Sequence, residues 1–387
     1  MRMLNAVFCC LLLFAVGSLY AQTPQKILGI AKEKKTADYY QEQSGLWKKE
    51  TTKQPKNAHA WHQYYKAQRA YLQLTFPKVW AGNQNEIFGK LQPIINASKK
   101  HIGNSFEYYL MESDNTIEDN SIEFLKKAYA IDPSRLEAYE GLMVHYIRTF
   151  DDEKATEIAK KMLQENYYSN ANLMWNYNTL LTIKKDGLFI SNGDMDAFPK
   201  WVLQYGMGIR KDVIVANKWV LATKKDYRLK VFKTLGIKDL PKAKETPMGQ
   251  YVNDLTIHIL KNSQKAAYMG CGSNINLFKE AGIADQMYMV GLAFEYSKKE
   301  FDNLAVIKKN FEEKYNLDYL NSNFQQHAED GMVKGMMNLT YLPSLFKLKR
   351  HYEETKQSSK VDYYNKIINK IAKESGREKE VLSWYKC

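Results

Sequence analysis

The sequence predicts a mostly helical α+β protein in which tetratricopeptide-like helical hairpins flank a small Rossmann-like α/β unit with short parallel strands. Three observations predict this class. Apolar residues recur at helical spacing from about residue 36 to residue 163, a short apolar run replaces that period near Gly187, and helical spacing returns from Phe301. We therefore divide the chain into a signal peptide (1–21), a tetratricopeptide-like helical region (22–170), a small α/β domain (171–300) and a helical C-terminal region (301–387).

The composition is that of a globular chain and excludes a disordered or fibrous one. The 387 residues are 45% hydrophobic and 26% charged and include nine prolines. A chain longer than about 250–300 residues usually folds as more than one domain. Lysine and arginine together number 56 against 43 aspartates and glutamates, and the formal net charge of +13 favours acidic partners in general.

The N-terminus has the pattern of a secretory signal peptide. One basic residue precedes an apolar run at residues 6–16, and the small residues Gly17, Ser18 and Ala21 follow it. We predict cleavage after Ala21 or, alternatively, after Ser18. A lipoprotein anchor is the rival interpretation, but Cys9 and Cys10 lie inside the apolar run rather than after it. The run is shorter than the roughly 20 apolar residues of a membrane span. We expect a soluble exported protein of the periplasm or cell envelope, without a membrane span.

Cleavage would leave two cysteines, Cys271 and Cys387. Neither lies in a CxxC motif or at a Cys/His spacing, so the sequence predicts no zinc site. In an oxidising compartment the two could form a disulfide that ties the C-terminus to the middle of the chain. Two free thiols, one of them buried, are the alternative.

A tetratricopeptide-like repeat is the most informative signal in the first helical region. Ser121, Leu125, Ala128 and Pro133 fit the second helix and the end of one 34-residue unit, and a weaker match surrounds Trp61. Small residues in such a repeat let the two helices of a hairpin approach closely. The alternative is an irregular helical bundle without repeat geometry. The residues that fit the following unit are Tyr139, Leu142, Met143, Tyr146, Ala155 and Ala159.

The central region predicts a β-α-β unit. Leu188–Ser191 is read as a buried strand that ends in an Asn-Gly-Asp turn, and residues 213–216 as a second strand. Asp196 is predicted to cap the helix between them. A β-α-β unit predicts two parallel strands joined by a right-handed crossover. Residues 266–269 and 290–294 could add strands to the same sheet.

The sequence NGDMDAFPKW at residues 192–201, followed by Gln204, GIR at 208–210 and DV at 212–213, resembles a segment of large membrane proteins related to protein O-mannosyltransferases. In that family a polytopic membrane half precedes a soluble half that carries this segment and often tetratricopeptide-like helices. AAY at 266–268 and GLAF at 291–294 resemble the same soluble half more loosely, so the resemblance covers roughly residues 172–296.

This chain departs from the family in two ways. The polytopic half, to which the resemblance would assign glycosyl transfer from a lipid-linked sugar, has no counterpart here, and Tyr205 and Met207 stand where acidic residues are expected. The resemblance therefore implies a free-standing soluble relative of the non-membrane half, without the transferase activity.

Polar side chains alternate in the turn after the first predicted strand, at the edge where α/β sheets usually bind ligands. They are interpreted as turn and cap residues, as a site for a polar ligand such as a sugar, or as a metal site. Their spacing echoes a calcium loop, but Ala197 replaces its glycine and Leu203 its bidentate glutamate. The predicted ligand-binding residues are Asn192, Asp194, Asp196, Trp201 and Arg210.

Basic residues concentrate in residues 224–244, with Tyr227 and Phe232 interleaved and only Asp226 and Asp239 opposing them. Such a stretch suits an anionic polymer. For an exported protein we expect an anionic envelope glycan, a lipid headgroup or an acidic protein surface rather than nucleic acid. A solvated basic connection is the alternative. The basic residues are Lys224, Lys225, Arg228, Lys230, Lys233, Lys238, Lys242 and Lys244.

No motif predicts catalysis, a cofactor or a metal. The chain has no HExxH or GxSxG motif, and the glycines around Cys271 lack the Lys-Ser/Thr that closes a phosphate loop. We expect an exported cell-envelope scaffold that binds a protein or glycan partner. The alternative is an enzyme or accessory subunit of envelope glycan or glycosyl-transfer metabolism, with its site at residues 192–196. A deep pocket at that turn favours the alternative, and a groove lined by helix aromatics favours the scaffold. The oligomeric state is not predictable.

Overall fold

The computed structural model describes residues 23–30, 32–76, 84–116, 120–320 and 327–386. The predicted signal peptide and Cys387 lie outside these ranges. Within them the chain is mostly helical and contains one small mixed sheet of five strands.

The chain divides into two compact units. The first is built mainly from residues 35–76 and 85–124, and the second from residues 30–34 and from 125 onward. The predicted domain boundaries after residues 170 and 300 both fall inside the second unit.

The described part of the first unit is helical. Three of its helices begin where Thr36, Asn57 or Ser105 accepts a hydrogen bond from a backbone N–H three residues further on, which is the usual role of an N-cap side chain. Tyr65, fully buried, lies in the core of this unit. The helices are α1 (Ala37–Lys53), α2 (Ala58–Thr75), α3 (Gln84–Ile102) and α4 (Phe106–Asp114).

The second unit opens with four further helices, and the division between the units falls within the first of them. Small residues on these helices are fully buried: Ala128, Ala155 and Ala159 have no exposed surface. They lie at the positions where the sequence predicts close helix packing. The helices are α5 (Ser121–Ile131), α6 (Tyr139–Thr149), α7 (Asp152–Gln164) and α8 (Asn170–Thr182).

The sheet is central to the second unit and has the order β2-β1-β3-β5-β4. The first three strands are parallel, whereas β5 is antiparallel to both β3 and β4. Helix α9 (Phe198–Met207) joins β1 to β2, and three helices join β2 to β3: α10 (Lys218–Thr223), α11 (Lys225–Leu235) and α12 (Met248–Asn262). The strands are β1 (Leu188–Ser191), β2 (Ile214–Asn217), β3 (Ala267–Gly270), β4 (Met287–Met289) and β5 (Ala293–Tyr296).

One strand prediction is wrong. Residues 290–294 do not form a single strand, because Val290, Gly291 and Leu292 make the turn of a hairpin between β4 and β5. Gly291 has φ +124°, a conformation that side-chain-bearing residues rarely adopt, and a Cβ there would collide with the Tyr315 hydroxyl. The hairpin makes the sheet mixed rather than parallel throughout.

Further helices lie between β3 and β4 and after the last strand. The short helix α13 (Asn276–Glu280) lies between β3 and β4, and α14 (Asn303–Lys309) continues into a π-helical turn, Asn310–Lys314. Trp175 of α8 lies in one hydrophobic cluster with the helices that end the chain. Those helices are α15 (Asp330–Met332), α16 (Leu342–Glu354), α17 (Ser358–Glu374) and α18 (Glu378–Lys386).

Helix α7 packs closely on α9. A Cβ at Gly206 of α9 would lie 2.6 Å from Leu163 Cδ1 and 3.2 Å from the carbonyl oxygen of Ala159. The small residues of α7 therefore let α9, a helix of the sheet layer, approach closely. Helix α7 thus packs directly on the sheet layer of the second unit.

The short N-terminal segment 30–34 belongs to the second unit. Lys32 Nζ lies 3.5 Å from Glu329 Oε1 and 3.8 Å from the centroid of the Tyr167 ring. The Glu329 carboxylate is fully buried, and its Oε2 accepts hydrogen bonds from Ser169 N (3.2 Å) and Asn172 Nδ2 (3.0 Å). Lys32 supplies the positive charge that offsets this buried anion.

No helix in the described part of the chain combines the length and apolarity needed to cross a bilayer.

Candidate functional site

The carboxyl ends of the three parallel strands meet around Asn192, the first residue after β1. Its Nδ2 donates to the carbonyl oxygen of Gly272, which follows β3, at 3.0 Å. Its Oδ1 accepts from Nζ of Lys218, which follows β2. A single amide side chain thus ties together the loops that follow all three strands.

Asp196 lies beneath this turn and does not cap α9. The N-cap residue is Ala197, which makes no side-chain cap hydrogen bond, so the predicted cap role is wrong. Instead Asp196 Oδ2 accepts from Asn192 N at 3.0 Å, and Oδ1 accepts from Lys200 Nζ at 2.8 Å. The carboxylate lies under the turn because it pairs with Lys200. This lysine follows Asp196 by four residues, about one helical turn, and is buried below the turn.

Gly270 at the end of β3 makes room for this carboxylate. A Cβ at that position would lie 2.7 Å from Asp196 Oδ2. Only glycine therefore lets the Asp196 side chain occupy the space between the ends of β1 and β3.

Lys200 is entirely buried, yet its ammonium group is fully satisfied. Nζ donates to Asn176 Oδ1 (2.7 Å), to Asp196 O (2.9 Å) and to the Asp196 carboxylate. These three hydrogen bonds use all three protons of the ammonium group. It also lies 4.7 Å from the Trp175 ring centroid and 4.5 Å from that of Phe189. Burial lowers the pKa of Lys200, and the Asp196 carboxylate opposes that shift.

Because of these hydrogen bonds, side chains of the predicted turn site occupy the position where a ligand is expected. In open α/β sheets, ligands bind beyond the carboxyl ends of the strands where the strand order reverses, here between β1 and β3. That place is filled by the side chains of Asn192 and Asp196. Asp194 is exposed at the tip of the turn. Lys200 and Lys218 are not among the predicted site residues, although the i,i+4 spacing of Asp196 and Lys200 is a usable signal.

Trp201 and Arg210 are not brought to the turn. Trp201 is buried, and its indole N–H donates to Val215 O at 3.1 Å. Arg210 precedes β2, at the amino ends of the strands, where its guanidinium donates to both carboxylate oxygens of Asp212 and to Leu180 O. Both side chains stabilise the fold and are not placed to bind a ligand of the turn.

Cys271 follows β3, and its thiol forms no disulfide with any of the described residues. Burial raises the pKa of this thiol, and its Sγ lies 3.6 Å from Gly291 O. Its predicted partner, Cys387, lies outside the described residues, so the disulfide stays a prediction.

The basic stretch is less uniform than its composition indicates. Arg228 is only 5% exposed; its Nε donates to Asp239 Oδ1 at 2.8 Å and its Nη1 to Leu221 O at 3.0 Å. Tyr227 and Phe232 are buried too, so neither ring can stack on a polymer. Lys224 is half-buried. The exposed members are Lys225, Lys230, Lys233, Lys238, Lys242 and Lys244.

A groove of about 920 Å³ in the second unit runs between helices α7, α8 and α9 and the segment after α14. Aromatic side chains supply much of its lining: Tyr168, Tyr177, Phe311, Tyr315, Tyr319 and Tyr363. Three amide side chains and three charged ones supply its polar groups: Asn166, Asn170, Asn316, Glu312, Lys314 and Asp318.

Two tyrosines of this groove present both a ring and a free hydroxyl. Tyr363 is 47% exposed and Tyr177 is half-buried. Among the described residues neither hydroxyl makes a hydrogen bond, in contrast to Tyr319, which donates to Asn338 Oδ1 at 2.8 Å. Burial raises the pKa of Tyr363, and the Asp318 carboxylate adds to the rise. The Met207 side chain, 58% exposed, extends the apolar surface of the groove.

No protein-family model matches the chain, and no curated protein sequence matches it. The described residues contain no group of three His, Cys, Asp or Glu side chains that could hold a metal ion.

Proposed function

We propose that the protein is an exported cell-envelope interaction protein that binds a protein or glycan partner in the aromatic groove and performs no catalysis of its own. One observation carries the proposal. The groove lining offers aromatic rings and, at Tyr177 and Tyr363, hydroxyls that make no hydrogen bond to described residues, whereas Asn192 and Asp196 of the turn are committed to internal hydrogen bonds.

The lining suits recognition better than chemistry. Ligand sites are typically concave and largely apolar, with a few polar groups that fix orientation. Tyrosine supplies a large apolar surface and a polar tip on one rigid side chain. The groove also has carboxylates, Glu312 and Asp318, but Glu312 is already paired: its Oε1 accepts from Lys360 Nζ at 3.2 Å and from the Tyr352 hydroxyl.

We extend the proposal to the finer architecture. Complete burial of Ala128, Ala155 and Ala159 supports tetratricopeptide-like packing of α5, α6 and α7. The parallel pairing of β1 with β2 around α9 supports a Rossmann-like unit. The NGDMDAFPKW segment spans the turn and the start of α9, and we propose kinship with the soluble half of the O-mannosyltransferase-related proteins on that segment.

The test is thermal melting of the chain without residues 1–21 against a panel of mono- and oligosaccharides. A ligand at 100 times its dissociation constant stabilises the folded state by about 2.7 kcal/mol. We expect a stabilising sugar to lose its effect in the double variant Tyr177→Ala/Tyr363→Ala and to keep it in Asp194→Asn. The reverse result would move the site to the turn and favour an enzyme or accessory subunit of glycan metabolism.

A protein partner is tested with the same variants. Envelope proteins retained by the immobilised wild type should be lost with the groove variant and kept with Asp194→Asn. Retention that is identical for all three proteins would rule out the groove as the binding surface.

A further inference from the structure

A second cleft lies in the second unit between α14, α16 and α18, and it shares no lining residue with the aromatic groove. Its volume is about 500 Å³. That is within the range of sites for small ligands, roughly 300–1,000 Å³. The side chains that bear on its chemistry are Leu304, Phe346, Lys347, Arg350, His351 and Trp384.

The apolar side of the cleft is a half-exposed indole. Trp384 is 41% exposed although it belongs to a helix that Val381, fully buried, anchors to the core. The Trp384 indole N–H donates no hydrogen bond to any of the described residues. Phe346, which is buried, and Leu304 complete the apolar lining. The cleft thus offers one flat ring face beside a polar wall.

The polar wall is cationic. Lys347 Nζ donates to Asn303 Oδ1, and Asn303 is itself fixed because its Nδ2 donates to Met289 O at 2.9 Å. Arg350 follows Lys347 by three residues on α16, so the two lie on one face of the helix. Lys308 does not line the cleft, but its Nζ lies 3.5 Å from Nε2 of His351, which does.

One acidic side chain, Glu354, opposes these cations in the lining described by the structure. An anionic group would therefore gain favourable electrostatic contacts in this cleft. A guanidinium binds a carboxylate through paired hydrogen bonds, and an ammonium adds a point charge beside it.

We propose that this cleft binds an acidic sugar, with the sugar ring on the Trp384 face and its carboxylate between Lys347 and Arg350. A sugar ring has an apolar C–H face that packs on an indole, and a uronic acid carries its carboxylate at the edge of that ring. The proposal concerns a site separate from the groove and does not depend on what the groove binds.

The test is isothermal titration of the chain without residues 1–21 with trigalacturonate, with maltotriose as the neutral trisaccharide. We expect trigalacturonate to bind and maltotriose not to. Trp384→Ala and Lys347→Gln/Arg350→Gln should each weaken binding by about tenfold or more, the scale of one or two charge-assisted contacts. The matched control Lys225→Gln/Lys233→Gln removes the same charge from exposed positions on α11 and should change affinity less than about twofold.

Three outcomes overturn the proposal. Equal weakening of binding by Lys347→Gln/Arg350→Gln and by Lys225→Gln/Lys233→Gln would mean that only the net charge of the protein attracts trigalacturonate. Full displacement by inorganic phosphate, with normal binding to Trp384→Ala, would mean that the ring is not recognised. Absence of binding at millimolar trigalacturonate would exclude the site. Because Lys347 and Arg350 are exposed, their double variant keeps the test valid even if Trp384→Ala fails to fold.

Discussion

Lys200 Nζ lies 2.8 Å from Asp196 Oδ1 although the lysine side chain is entirely buried. Burying a charge is costly unless polar partners replace the lost water. Here three oxygens and two aromatic rings surround the ammonium group. The pair fixes the turn that closes the carboxyl edge of the sheet, so its removal should affect the whole second unit.

We expect Lys200→Met to lower the free energy of unfolding by about 3–5 kcal/mol, because the partly buried Asp196 carboxylate and the buried Asn176 amide would lose their partner. Chemical denaturation measures this change. Lys211→Met is the matched control: Lys211 is exposed, and its substitution should change stability by less than about 0.5 kcal/mol. Equal stability of the two variants would show that the ion pair is not formed.

Arg228 should differ sharply from the other members of the basic stretch. Arg228→Met would leave the Asp239 carboxylate without its partner and free the Leu221 carbonyl oxygen, at a cost of about 2–3 kcal/mol. Lys233→Met on the same helix removes the same charge from an exposed position and should be close to neutral. Thermal melting of both variants checks this, and a neutral Arg228→Met would contradict the buried pairing.

The close approach of α7 and α9 makes Gly206 sensitive to a single added methyl group. Gly206→Ala should destabilise the protein by about 1–3 kcal/mol, because the Ala159 backbone cannot move aside as a flexible side chain would. Gly89→Ala in α3 is the control, since its added methyl group meets no neighbour within 4 Å. That variant should gain about 0.4–1 kcal/mol by lowering the entropy of the unfolded chain. A stabilising Gly206→Ala would refute the packing.

Buried tyrosines predict the behaviour of the protein in alkali. Burial raises the pKa of Tyr168, Tyr227 and Tyr319 above the ordinary value. A raised folded-state pKa means that the folded protein keeps phenolic protons that the unfolded chain releases. Their contribution to stability is therefore complete below about pH 10 and is lost as the pH rises, by about 1.4 kcal/mol per pH unit for each such tyrosine.

Phenolate absorbance and circular dichroism measured together test this. The buried tyrosines should ionise only as the helical signal is lost, in one cooperative step. Complete ionisation while the circular dichroism remains native would show that these hydroxyls are open to solvent.

Local patterns in the sequence account for the parallel strands but not for the hairpin. Leu188–Ser191 is predictable because a short apolar run ends directly in an Asn-Gly turn, and the structure gives β1 the same bounds. The run at 290–294 looks similar, yet Gly291 turns the chain back at φ +124°. Glycine alone does not separate a strand interior from a hairpin turn, because the Tyr315 hydroxyl that restricts this position comes from elsewhere in the chain.

Tertiary pairing explains the remaining differences. Composition marks Arg228 as one more surface cation, and only the fold brings Asp239 to it. The aromatic groove has no local motif at all, since its lining extends from Met162 to Tyr363. The turn, by contrast, is identifiable from the sequence as a special segment, because acidic and amide residues alternate there. The contacts of the turn residues are not predictable from the segment itself, because they depend on the positions of Lys200 and Gly270 in the folded protein.

The ion pair of Lys32 with Glu329 has a consequence for the order in which the parts of the protein fold during synthesis. Lys32 leaves the ribosome well before Glu329, and most of the first unit lies between them in the chain. Domains generally fold as they emerge, N-terminal parts first. The first unit can follow that rule, whereas the second must wait. Until Glu329 and the helices after it are available, Lys32 can pair only with Glu140, and α8 lacks the helices that cover Trp175. A nascent or truncated chain would therefore present that apolar face to chaperones and proteases.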